Sequence, residues 1–259
     1  MGNAQVEDYM TSALTDAYAG TPMAITAENL AEKYSITREQ CDEYSMLTQK
    51  RFADAMAKKA FEIEMTPVKI ATKKGDLEIV KDEHPKPDTP AEKIRALKPL
   101  FKAGGTVTAA TASGIVDGAA MSVLTTEAEA KRRGLKPLAK IISFASVGCD
   151  PKIMGIGPAG AIRKALERAG LKLEQMDLIE VNEAFAAQYL AVEKELGLDR
   201  EKTNVNGGAI AVGHPLGASG TRIMNHLTYE LERRKAKYAV GSACIGGGQG
   251  IAIVIERVP

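Results

Sequence analysis

A thiol and an imidazole stand on separate glycine-rich runs in the second half of the sequence. These are Gly241-Ser-Ala-Cys244-Ile-Gly246-Gly-Gly-Gln-Gly250 and Gly213-His214-Pro215-Leu216-Gly217-Ala-Ser219-Gly220. A cysteine works as base or nucleophile only as thiolate, so a polar partner or aligned backbone N–H groups must stabilise that form. Glycine lets main-chain N–H groups come close to a substrate oxygen, which an oxyanion hole requires. If the two loops meet, the chemistry they suit is that of acyl thioesters. A third run, Val181-Asn182-Glu183-Ala184-Phe185, lies where a strand gives way to a helix. There Asn182 can cap the helix, or hold a water or carbonyl by hydrogen bond.

Each run also has a plainer reading. His214 can be a histidine that satisfies a backbone carbonyl in a strand-to-helix turn. Cys244 can be a buried cysteine at a β-turn, although three successive glycines exceed what a two-strand turn needs. His214, His226 and Cys244 offer nitrogen and sulfur ligands but lack the close paired spacing of a structural zinc site, so no metal is expected. Nucleotide cradles fit poorly, because no Gly-x-Gly-x-x-Gly follows a strand and no Gly-Lys-[Ser/Thr] occurs.

The elements that must position these loops follow from periodicity and punctuation. Residues 1–66 read as amphipathic helix, with Thr26 as a cap and Thr37-Arg-Glu-Gln40 as a capping box. Two short strands, 68–70 and 77–80, turn at Gly75, and a proline-punctuated loop spans Asp82 to Pro90. A small-residue loop runs from Gly104 to Gly114. Ala119 to Leu124 reads as a strand, 126–133 as a helix ended by Gly134, and 138–147 as a buried strand. Pro158 opens a helix capped by Gly170; 178–181, 238–243 and 251–256 are strands, the last two antiparallel neighbours. Strands alternating with helices give an α/β layered fold.

Composition narrows the class. Hydrophobic content of 45% and charged content of 26% are those of a soluble globular protein. Net charge +1, 5% aromatic residues and no tryptophan argue against nucleic acid as the main partner. The three cysteines, Cys41, Cys149 and Cys244, form no spaced framework, which suits a reducing compartment. No apolar run approaches the roughly 20 residues of a membrane span, and no basic targeting region opens this chain.

Together the runs Asn182 to Phe185, Asn206-Gly-Gly-Ala-Ile-Ala-x-Gly-His214 to Gly220 and Cys244 to Gly250 resemble the thiolase superfamily, over the whole chain. The resemblance points to the mitochondrial-type 3-ketoacyl-CoA thiolases. Supporting runs are Thr21 to Ala24, Asp82 to Thr89 and Cys149-Asp-Pro151 to Pro158. It implies a layered α/β/α/β/α fold and an acyltransferase that cleaves 3-oxoacyl-CoA with CoA, or runs the reverse Claisen condensation. No permanently bound cofactor is implied; coenzyme A is a substrate, acyl-CoA and CoA are the partners, and the family assembles as dimers or tetramers. By resemblance His214 activates a nucleophilic cysteine, Cys244 is the acid/base, Asn182 positions a water in an oxyanion hole, and the Gly246 N–H belongs to a second one. Lys86, Thr89 and Ser113 match the CoA contacts. The family usually has Arg where Lys86 stands, which forfeits the bidentate grip on phosphate. The basic stretch Lys93, Arg95, Lys98 and Lys102 could face CoA phosphates or solvent.

One family feature lacks a counterpart. The acyl-enzyme cysteine lies in a motif before the region matched by residue 1, so the chain is expected to resemble the C-terminal part only and to be inactive as written. Its parts are then a CoA-binding loop domain over 1–115, a remnant of the N-terminal half-core over 116–136, and a C-terminal half-core over 137–259. Two other readings remain: a non-catalytic CoA-binding or subunit-interaction fragment, and an incomplete gene model or isoform.

Overall fold

The computed structural model describes residues 2–3 and 6–258. In chain order the elements are α1 (Tyr9–Ala13), β1 (Thr15–Asp16), β2 (Thr21–Pro22), α2 (Met23–Tyr34), α3 (Arg38–Ala57), β3 (Val68–Thr72), β4 (Gly75–Ile79), α4 (Ala91–Arg95), α5 (Glu127–Arg132), β5 (Ala139–Gly148), α6 (Gly157–Ala169), β6 (Leu178–Val181), α7 (Ala186–Leu196), α8 (Ala209–Val212), α9 (Ser219–Arg234), β7 (Tyr238–Ile245) and β8 (Gln249–Arg257). The main sheet has the order β5-β8-β7-β6, parallel only between β6 and β7. Two further sheets are hairpins, β1-β2 and β3-β4.

Alternation along each strand sends one set of side chains to each face of this sheet. Ala145, Ile179, Val181, Val240, Ala252 and Val254 form the face that receives Ile162, Ala165 and Leu166 of α6, Tyr189 and Val192 of α7, and Leu30 of α2. On the opposite face Leu178, Ala239 and Ile255 meet Ile223, Leu227 and Leu231 of α9. That cover is incomplete. Ile141 and Phe144 of β5 pair with Ile255 and Ile253, on the α9 side, yet stay 47% and 60% exposed.

Local signals explain the termini. Thr37 and Gln40 form the capping box of α3 in both directions, and Gly170 ends α6 in the left-handed conformation. Three expectations are corrected. Helix α2 begins at Met23, so Thr26 is inside it, its hydroxyl donating to Met23 O at 2.6 Å. Ala119 to Leu124 forms no strand; Asn225 of α9 donates to Met121 O at 3.0 Å and holds the segment along the helix, with Met121 and Val123 exposed. An extended chain without a ladder partner cannot become a strand, whatever its composition. Strand β5 is not a buried strand, since only its α6 face is covered.

An exposed apolar strip of this kind promotes association. Replacing Ile141 and Phe144 together by Lys should raise the monomeric fraction in light scattering and leave the melting temperature within a few degrees; a cooperative loss of fold would contradict this account of the strip.

Candidate functional site

Asn182 and the Cys244 loop are brought together by strand pairing. Strands β6 and β7 run parallel with Val181 opposite Ser242, and the Asn182 N–H donates to Ser242 O at 2.9 Å. Cys244 follows on β7, half-buried, and Gly246 to Gly248 turn the chain into β8, with Gly247 and Gly248 at φ of +81° and +77°. His214 arrives from α8 through Gly213, whose φ of +96° places the imidazole toward Asn182.

The hydrogen bonds assign the His214 tautomer. Ser219 Oγ donates to Pro215 O at 3.1 Å, so it accepts from His214 Nδ1 at 2.6 Å. The proton is then on Nδ1, and Nε2 offers its lone pair to the Asn182 amide, 3.2 Å away. Asn182 Oδ1 is buried and has no protein partner, as is Ser242 Oγ. A buried polar atom without a partner is costly unless a ligand or water meets it. Burial pushes the His214 imidazole down to about 4, helped by the Arg222 charge; Arg222 itself pairs with Glu180 at 2.9 Å. His214 is therefore a neutral base at physiological pH.

Behind the pair lies Glu183, fully buried. Its carboxylate accepts from Tyr44 OH at 2.6 Å, Thr48 Oγ1 at 3.0 Å, Asn204 Nδ2 at 2.9 Å and the Ile210 N–H at 3.1 Å. Burial pushes its carboxyl up, and those four donors pull the other way. Gly208 rests directly on the carboxylate, leaving no room for a Cβ. The Gly104–Gly114 loop closes the other side. Glu28 binds the N–H groups of Thr106 and Val107 at 2.9 and 2.8 Å, and the Gly114 carbonyl accepts from the His214 N–H at 2.9 Å. Ser113 N–H and Oγ both donate to Ala184 O, at 3.0 and 3.1 Å.

The structure thus hydrogen-bonds Asn182 to His214, ties Ser113 to Ala184 two residues along the chain from Asn182, and sets Cys244 and Gly246 at the end of the adjoining strand β7. Lys86 and Thr89 share a turn in which Thr89 Oγ1 donates to Lys86 O at 3.0 Å. That turn is tied to α3 by Gln49, which accepts from the Lys86 N–H at 3.0 Å, and no hydrogen bond joins it to Ser113 among the described residues. His226 stands apart, between Glu64 at 2.9 Å and Asn206 at 3.2 Å. Among the described residues no cluster of ligating side chains could hold a metal ion, and no helix is long and apolar enough to cross a membrane.

The thiols differ in setting. Burial pushes Cys244 up to about 12, with its own backbone N–H opposing and Cys149 adding. Cys41, fully buried in α3, is also pushed up to about 12 by burial. Cys149 is half-buried and raised by burial and by Asp150, its sulfur 3.7 Å from Met154 O. Ser219, Glu28 and Asp16 were given no role by the sequence. Ser219 could have been found from its place at the start of α9, one turn after Pro215; Asp16 and Glu28 act on partners too distant in sequence to signal.

This fold and this cluster of loops are those of the thiolase family, to which the chain belongs: models of the thiolase N-terminal and C-terminal domains match residues 1–128 and 135–257. The expectation of C-terminal sequence alone is thereby corrected, since residues 1–128 match the N-terminal domain. The chain is 56% identical over 253 residues to mitochondrial 3-ketoacyl-CoA thiolase of Bos taurus, covering 98% of this chain and 64% of that one. It is 51% identical to acetyl-CoA acetyltransferase of Escherichia coli, covering 100% and 66%. The crystal structure of human mitochondrial 3-ketoacyl-CoA thiolase in complex with CoA superposes with TM-score 0.90 at 50% identity, covering 99% and 64%. The chain spans about two thirds of the length of the curated relatives it matches.

Two outcomes check the site. His214 should titrate near pH 4 in imidazole NMR; a midpoint at 6 or above would contradict its burial. Its depressed value means that neutral His214 favours the fold above about 6.5, the unfolded value, and that this contribution is lost as pH falls through 4. Gly208→Ala forces a methyl into the Glu183 carboxylate and should cost about 1–3 kcal/mol in denaturant melts.

Proposed function

We propose that this chain carries the acid–base and oxygen-binding half of acyl transfer between CoA thioesters. In the whole family reaction CoA cleaves 3-oxoacyl-CoA to acetyl-CoA and a shortened acyl-CoA, or the reverse condensation runs. The observation that carries the reading is the neutral, Nδ1-protonated His214, its bare Nε2 on Asn182 beside the Cys244 strand end. His214 Nε2 takes the proton of an attacking thiol and, once protonated, donates to the thioester oxygen. Asn182 Oδ1 holds a water in that oxygen site, and the Gly246 N–H serves a second one. Cys244 gives its proton to C2 of the departing acetyl-CoA carbanion and takes one from the thiol of the incoming CoA. Its raised value keeps it a thiol at neutral pH, ready as the acid.

The attacking thiol is not one of the three cysteines here. Cys41 is sealed in a helix and Cys149 points at a backbone carbonyl. Lys86, Thr89 and Ser113 hold CoA, within a loop domain over 1–115 that serves the half-core at 137–259; residues 116–136 belong to the N-terminal half-core. The relative solved with CoA supports the ligand, and the mitochondrial relatives support a mitochondrial location and a β-oxidation substrate. A second reading, a non-catalytic CoA-binding or subunit-interaction chain, is favoured by exposed Met121, Val123 and Phe144.

Calorimetry should detect CoA and acetyl-CoA binding to the 259-residue protein, and Ser113→Ala should weaken CoA about fivefold, the size of one hydrogen bond. Acetoacetyl-CoA thiolysis should stay at background. Absence of heat would sink the CoA site, and thiolysis at the rate of the longer relatives would sink the missing-nucleophile assignment.

A further inference from the structure

The Cys244 loop is held from far away in sequence. Asp16, 1% exposed, is the last residue of β1, paired with Thr21 of β2 at the base of the β1-β2 turn. One carboxylate oxygen, Oδ1, accepts the N–H groups of Tyr18 and Ala19 at 2.8 and 2.7 Å. The other, Oδ2, accepts the N–H of Gly247 at 2.8 Å. Among the described residues no other side chain outside the β7-β8 hairpin hydrogen-bonds the main chain of this loop. From within the hairpin, Gln249 Nε2 donates to Gly246 O at 3.1 Å. The Gly246–Gly247 peptide plane is thus gripped at both ends, its oxygen by Gln249 and its N–H by Asp16. The same segment continues into Met23, whose Cε would lie 2.7 Å from a Cβ at Gly246.

Glycines can rotate almost freely, so a run of three needs external restraint to present one N–H in a fixed direction. We propose that Asp16 is a positioning residue for the thioester-oxygen site: by binding the Gly247 N–H it fixes the peptide after Gly246, and with Ile245 paired to Gln249 on the other side the Gly246 N–H is held in one direction. This rests on the reading that Gly246 receives a thioester oxygen. The carboxylate never meets the substrate; it works through the loop. Three N–H donors converge on it, and the bond from Ala19, with those from Gly247 and Tyr18, outweighs burial and holds its carboxyl below the usual range.

Asp16→Asn is the selective test. The amide oxygen can still accept from Tyr18 and Ala19, keeping the turn, while the amide nitrogen turns a donor toward the Gly247 donor. In wild-type protein, acetyl-CoA should shift the Gly246 amide proton downfield in NMR, and the Gly247 N–H should be protected from hydrogen exchange. D16N should reduce the Gly246 shift by half or more, weaken acetyl-CoA about tenfold, and speed Gly247 exchange at least tenfold, with Gly241 in mid-strand still protected. Unchanged Gly246 response and affinity in D16N would overturn the role of Asp16 alone. A wild-type Gly246 that ignores acetyl-CoA would overturn the oxygen-site reading and this proposal with it. If D16N exposes Gly241 as well, wild-type protein decides: an unprotected Gly247 overturns the clamp and a protected one supports it.

Discussion

A carboxylate buried without a cation organises this molecule. Glu183 has no exposed surface, and among the described residues its carboxyl oxygens are met by two hydroxyls, an amide and one backbone N–H, with no cation. Those donors come from α3, from the Asn204 turn and from α8, so one side chain fastens three segments that are remote in sequence. A carboxylate in such a place is tolerable only while every donor remains. Its neighbour Asn182 inherits that fixity, and α8 passes it on to His214. The exchange is mutual, since Thr48 Oγ1 also accepts the Gly208 N–H at 2.9 Å and Asn204 also binds Val181 at both its N–H and C=O.

The loops of the candidate site depend on a second constraint, the parallel pairing of β6 with β7. Both strands point to the same edge, and with Val181 opposite Ser242 the register brings Asn182, just past β6, to the end of β7 that carries Cys244. The antiparallel return through β8 needs only a short turn, and the glycines there serve that turn and expose N–H groups at once. What keeps the arrangement open to a ligand is unmet hydrogen-bonding capacity at Asn182 Oδ1. Ser242 Oγ, on the strand paired beside it, is likewise buried without a partner.

Local signals were legible in the sequence and long-range ones were not. The Thr37 capping box, the Gly75 hairpin, the Gly170 cap and the β7-β8 pair all rest on residues a few positions apart. The glycine runs around His214 and Cys244 and the Asn182 junction could be read because backbone permissiveness and reactive side chains coincide there. Thr26 misled because a threonine inside a helix can satisfy itself on the preceding turn, which looks in sequence like a cap. The segment 119–124 misled because β-propensity records composition and says nothing of a partner strand. Lys86 and Thr89 could be placed on a loop from the prolines, but their distance from Ser113 depends on packing between segments. Asp16 and Glu28 were invisible for the same reason: their partners are backbone N–H groups, which every residue possesses.

Strand β8 sits in the middle of the main sheet, between β5 and β7, although it is the last of the four in chain order. Without it, β5 shares no hydrogen bond with β7, and the two glycine-flanked ends of the Cys244 hairpin have nothing to close against. On a ribosome that delivers residues in order, helices α2 to α9 all emerge before the strand that unites the sheet. The edges of β5 and β7 that pair with β8 therefore stay open until residue 257 is free of the exit tunnel. Sheet closure and formation of the glycine turn after Cys244 are thus the last events in chain order, when Asn182 and His214 have already emerged.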